Sequence, residues 1–147
     1  MVKMTHFIDW PADLSTDTTN TNFTICLDGP KKYFSSLEEW AETGTIKNKP
    51  VILHYIKNNL SKLNNCNILY ITNNKHLNNY LKAANSIRLL TFSSTPGNAH
   101  KGVIVNFFEV DNNLRFEINL NVANNLGFEI NPRLLKLAKI VNNGEFN

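Results

Sequence analysis

No run of about eighteen apolar residues occurs anywhere in the 147-residue chain, so no segment reads as a membrane-spanning helix. The opening "MVKMTHFIDWP" has no apolar h-region and no small-residue cleavage site. Taken alone, and with Met1 as the native start, that opening leads to the expectation of a cytoplasmic protein. The charge balance is only +3, and the lysines are scattered rather than clustered between aromatics. That pattern carries no nucleic-acid signature. Cysteine occurs just twice, at Cys26 and Cys66. In a reducing cytosol both would be ordinary buried thiols, whereas in an oxidising compartment one bridge would close a loop of about 40 residues. The residues alone leave both fates open.

Catalytic motifs are missing as well. GxSxG, HExxH, CxxC and Walker-type loops are absent, and "TPGNAHKG" holds two glycines without phosphate-loop spacing. His6, His54, His76 and His100 lie far apart, with no metal-ligand spacing. Nothing pairs carboxylates or activates a nucleophile, so the sequence implies no enzyme, cofactor or metal.

What is present is an ordinary globular composition, 42% apolar, in a length that suits one domain over residues 1–147. Asparagine is abundant, often as "NN", but the pairs are dispersed between apolar segments and read as compositional drift. Val2 to Trp10 has the spacing of a short amphipathic helix, and the polar stretch Ser15 to Asn22 reads as a loop. "FTICL" reads as a buried strand and "KKYFSSLEEWAET" as a helix. "PVILHYI" and "NILYIT" read as strands, "NKHLNNYLKAAN" as a helix with Leu77, Tyr80, Leu81 and Ala84 inward, and "IRLLTF" as a fourth strand. Strands separated by helical segments predict an α/β fold with a mixed, mostly parallel sheet flanked by helices.

"GVIVNFFEV" and "LRFEINL" flank "DNN", which predicts a carboxy-terminal β-hairpin. With Asn112 and Asn113 as the turn, Asn106 faces Asn119, Phe108 faces Glu117, and Arg115 sits beside Val110. "NVANNLG" then reads as a short helix capped by Asn121. "NPRLLKLAKIV" reads as a last helix capped by Asn131, with Leu134, Leu135, Leu137, Ala138 and Val141 as its buried stripe. Alternation places Asn106, Arg115, Glu117 and Asn119 on one face of the hairpin, alongside Ile104, Phe108 and Val110. One reading is a solvated sheet face. The other is a partly covered polar network, which must be paired internally and can act as a regulatory switch.

The blocks "FIDWP", "FTICLDG", "NCNILYI", "IRLLTFSSTPG" and "LRFEINLNVANNLGFEINPRLLKLAKIV" occur in that order across nearly the whole chain. In these the sequence resembles the YfiR/HmsC-like family of periplasmic regulators. The resemblance implies a non-enzymatic protein exported to the periplasm. There it would bind and repress the periplasmic sensor domain of an inner-membrane diguanylate cyclase, holding down cyclic di-GMP and biofilm formation. It implies a homodimer, and a disulfide between Cys26 and Cys66, which match positions where the family carries cysteine. The alternatives are an excised sensor domain of a signalling kinase or cyclase, and a small α/β ligand-binding domain or enzyme with an unrecognised pocket.

Overall fold

A computed structural model describes residues 1–12 and 21–142. Most of the polar stretch Ser15 to Asn22 lies outside them. The fold is α/β, and its strands pair in a mixed, mostly parallel manner. The chain divides into two compact units, Asp17–Leu90 and the combination of Met1–Thr16 with Thr91–Asn147.

In the unit Asp17–Leu90, strand β2 (Phe23–Asp28) lies between β4 (Lys49–Tyr55) and β5 (Ile68–Ile71), parallel to both. All six residues of β2 are buried, as a strand covered on both faces requires. The short β3 (Thr45–Ile46) pairs antiparallel with β4. Between β2 and β3 the predicted helix is split into a 3-10 turn (Lys31–Phe34) and an α-helix (Ser35–Ala41). Phe34 packs its ring 6.2 Å from Tyr55 and 5.7 Å from Tyr70, and the Tyr55 hydroxyl donates to Glu38 Oε1 at 2.5 Å. Burial, and then the bonded Glu38 carboxylate, push the Tyr55 hydroxyl up to about 12. The helix Leu77–Ile87 buries Leu77, Tyr80, Leu81 and Ala84, the four positions its spacing selects. Cys26 and Cys66 are joined in a disulfide, with Cα atoms 5.8 Å apart.

In the other unit, β6 (Leu90–Ser93) pairs in parallel with β7 (Val105–Val110), which forms the expected hairpin with β8 (Asn113–Asn119). The hairpin turn is Asp111–Asn112, both left-handed at φ 51° and 64°. The pairing therefore differs from the predicted one by two residues. Asn106 faces Glu117, and Phe108 faces Arg115. An even slip leaves every side chain on its predicted face, because strand side chains alternate with period two.

Two terminal segments depart from their helical readings. Only Val2–Phe7 is helical, as a 3-10 segment, and Ile8–Asp9 form β1, antiparallel to β9 (Glu129–Ile130). Met4 and Ile8 are still buried, so the apolar spacing served a turn followed by a strand. At the other end the helix stops at Leu135, and Lys139–Val141 become β10, parallel to β8. The β-branched Ile140 and Val141 satisfy the outer edge of β8, which a helix would leave unpaired. The predicted apolar stripe is thereby broken. Leu134 and Val141 are buried, but Leu137 is 73% exposed. Asn131 does cap its helix, accepting from the Arg133 N–H at 2.9 Å. The helix Leu120–Leu126 is capped not by Asn121 but by Asn119, whose Oδ1 accepts from the Val122 N–H at 3.1 Å.

Candidate functional site: a buried polar cluster around Glu117

The face of the hairpin singled out in the sequence is covered, but not along its whole length. Asn106 and Asn119 are fully buried and Glu117 is 8% exposed, whereas Arg115 is exposed beside the hairpin tip. The strand β8 runs from solvent into the protein, so burial rises in the order Arg115, Glu117, Asn119.

The cover is the short helix Asn98–Lys101, within a stretch that had no assigned element in the sequence. Gly97, at φ 85°, turns the chain into it. The Asn98 amide donates to Ser93 Oγ at 2.8 Å, and Asn119 Nδ2 donates to the Ala99 carbonyl at 2.7 Å. Thr91 Oγ1 accepts from the Ile104 N–H at 2.9 Å as the chain re-enters β7. Asn106 Nδ2 donates to the Thr95 carbonyl at 2.9 Å, while its Oδ1 is buried without a partner. Asn106 and Asn119 thus bond backbone carbonyls of the loop and helix they face, and Asn98 bonds a side-chain hydroxyl of the strand before it, which together fix the placement of that helix. A buried amide is stabilising when its groups are matched and costly when one is left over.

Held in this way, the helix brings His100 Nε2 to 3.9 Å from Glu117 Oε2, and β10 brings Lys139 Nζ to 4.0 Å from the same oxygen. The Glu117 side chain is only 10% exposed, but those of His100 and Lys139 are 47% and 67% exposed. The carboxylate therefore sits beneath one lysine and one histidine at a rim open to water. Both partners are at the outer limit of contact and screened, so the attraction offsets only part of the cost of burying the charge. Among the described residues, the basic side chains beside Glu117 are His100 and Lys139 rather than Arg115.

Sequence reasoning placed Glu117, Asn106 and Asn119 on a common face and missed their partners. His100 was set aside for lacking metal-ligand spacing. Lys139 was assigned to a helix, from which no contact with β8 could be foreseen. Asn98 was the one member with a local signal, a side chain just inside a Pro-Gly turn that closes back on the strand before it.

The sequence profile described as YfiR/HmsC-like covers residues 1–139. The chain belongs to the YfiR/HmsC-like family. No curated protein matches it. Among solved structures it is similar to the ABC domain from Streptococcus pneumonia in complex with L-Trp. The TM-score is 0.59 at 12% identity, over 84% of this chain and 56% of that one. This YfiR/HmsC-like chain thus spans little more than half of that structure, and at such identity the likeness is one of fold.

Proposed function

We propose that this protein is a non-enzymatic periplasmic regulator. It binds the periplasmic sensor domain of an inner-membrane diguanylate cyclase and represses it, lowering cyclic di-GMP and biofilm formation. The observation that carries this reading is the family match over residues 1–139. Two features support it. The bridge between Cys26 and Cys66 suits an oxidising compartment. Among the described residues no helix is long and apolar enough to cross a membrane, which fits a partner that docks on a membrane enzyme.

In this reading the chain acts as one regulatory domain. Asn106, Glu117 and Asn119 form the polar network that fixes the presented surface, and Arg115 stands on the exposed end of the same strand. We also propose a homodimer, for which the exposed Val110, Leu114, Leu137 and Ile140 supply apolar area.

The test is co-purification with the periplasmic domain of a membrane diguanylate cyclase encoded beside the gene, together with cellular cyclic di-GMP. The expected result is a stable complex and a fall in cyclic di-GMP on expression. Absence of the complex together with an unchanged cyclic di-GMP level refutes the proposal. Sedimentation at high micromolar concentration tests the dimer, and a monomer there refutes it.

A further inference from the structure

The unit Asp17–Leu90 contains a second buried polar centre, at the carboxyl ends of its central strands. In a parallel sheet, ligands bind where the chains leaving two adjacent strands part company. Here β2 and β5 are adjacent, and their last residues, Asp28 and Ile71, lie side by side. From Asp28 the chain turns through Gly29 and Pro30 toward the helix Ser35–Ala41. From Ile71 it passes through Thr72 toward the helix Leu77–Ile87. The two exits are clasped together. Thr72 Oγ1 donates to the Asp28 carbonyl at 2.5 Å, and a Cβ on Gly29, at φ 144°, would fall 2.6 Å from Thr72 Oγ1, so glycine is required there.

Asp28 itself is 8% exposed. Its Oδ1 accepts from the Tyr80 hydroxyl at 3.2 Å, and Tyr80 is completely buried. Its Oδ2 is shielded from solvent and has no hydrogen-bond partner. A carboxylate oxygen carries two lone pairs, and burying it unmatched is costly. Among the described residues no cationic side chain forms an ion pair with Asp28. The one donor present, Tyr80, is neutral, with burial and Asp28 holding its proton on. The centre therefore lacks a hydrogen-bond donor that also carries positive charge.

We infer that this centre is a binding site for a small organic ammonium ion, with its N–H groups on Asp28 Oδ2. A multivalent metal is disfavoured, because among the described residues no three His, Cys, Asp or Glu side chains converge. A guanidinium binds best through both oxygens of a carboxylate, and the Tyr80 hydroxyl already occupies one lone pair of Oδ1, which leaves Oδ2 as the oxygen with no donor. An ammonium is a compact donor that needs only the free one. The turn after β4, where Lys57 and Asn58 are both left-handed at φ 46° and 60°, lies at the same end of the unit. That turn is tied to β2 by the Ile56 N–H, which donates to the Leu27 carbonyl at 3.1 Å.

The experiment is an amide NMR titration of the intact chain with ethylammonium chloride, using sodium chloride and tetramethylammonium chloride as controls. Tetramethylammonium carries the charge without an N–H. The expected result is saturable shifts centred on Asp28, Gly29 and the Ile56–Asn59 turn, produced by ethylammonium alone. Asp28→Asn, which keeps the acceptor for Tyr80, should weaken binding about tenfold or more. Shifts that fail to saturate, that centre elsewhere, or that tetramethylammonium reproduces would overturn the inference. So would an Asp28→Asn variant that binds equally well, or a crystal grown with ethylammonium showing only water on Oδ2. Should Asp28→Asn fail to fold, the wild-type titration still decides. Cyclase binding enters none of these readouts, so this inference and the proposed function fail separately.

Discussion

Removing the bridge between Cys26 and Cys66 should cost the protein a large part of its stability. The two residues are separated by 40 positions, and both sulfurs lie in the buried interior beside β2 and β5. In the chain-entropy treatment, releasing a closed loop of this size frees the unfolded state by about 4 kcal/mol at 25 °C. For a chain of 147 residues the unfolding entropy makes each kcal/mol worth roughly 2–4 °C, so the midpoint should fall by about 8–16 °C. The assay is thermal unfolding by circular dichroism, comparing the oxidised wild type with Cys26→Ala/Cys66→Ala and with wild type under reductant. Reduced wild type and the double variant should fall together, and reductant should not affect the variant. A drop of less than about 3 °C in both would refute the reasoning, since it would mean that the unfolded chain gains little freedom when the loop opens.

The last helix separates a buried from an exposed leucine. Leu134→Ala should destabilise by about 2–5 kcal/mol, whereas Leu137→Ala should stay within about 0.5 kcal/mol, and equal costs in a urea titration would contradict the strand Lys139–Val141. Glu117→Ala should cost about 1–3 kcal/mol and Arg115→Ala less than about 0.5 kcal/mol, because only Glu117 is covered. The reverse order would reinstate Arg115 as a member of the network. Glu117→Gln, which keeps shape and removes charge, should fold normally and, on the proposed function, bind the cyclase domain more weakly, and unchanged binding would show that the charge is not read. Tyr55 and Tyr80 are both pushed up to about 12 by burial, and then by Glu38 and Asp28. A phenol that keeps its proton longer when folded gives stability that is full below about pH 10 and lost as pH rises toward about 12. Tyr55→Phe and Tyr80→Phe should each flatten that alkaline decline, and an unaltered slope would count against the burial argument.

The sequence made the α/β character legible because strand and helix periods alternate cleanly. For Leu77, Tyr80, Leu81 and Ala84 the 3.6-residue period identified the inward face without error. The hairpin faces were legible too, though the register was not, because "VDNNL" offers two turn placements that differ only by an even slip. Lys139–Val141 read as helix because the segment follows a well-capped Pro132 turn. What made it a strand was the open edge of β8, a tertiary demand that no local pattern records. The asparagines are the largest misreading. Asn48, Asn58 and Asn112 take left-handed turn positions, where a residue with a Cβ ordinarily costs about 1–2 kcal/mol and Asn less. Asn59, Asn119 and Asn131 cap helices. Taken as composition they carry nothing, but before an apolar run or inside a two-residue gap each is a specific backbone signal.

The position of β10 bears on how the chain matures. Glu117 acquires its strand neighbour and Lys139 from a segment synthesised 22 residues later, the difference between the two numbers. Until that segment emerges, the outer rim of β8 is an unpaired template, with its peptide groups free to bond another chain. A nascent or proteolytically clipped molecule ending before Lys139 should therefore carry Glu117 on an adhesive border, and should be prone to association. Three residues, Lys139, Ile140 and Val141, close that border, so they guard the half-made protein as well as completing the finished one.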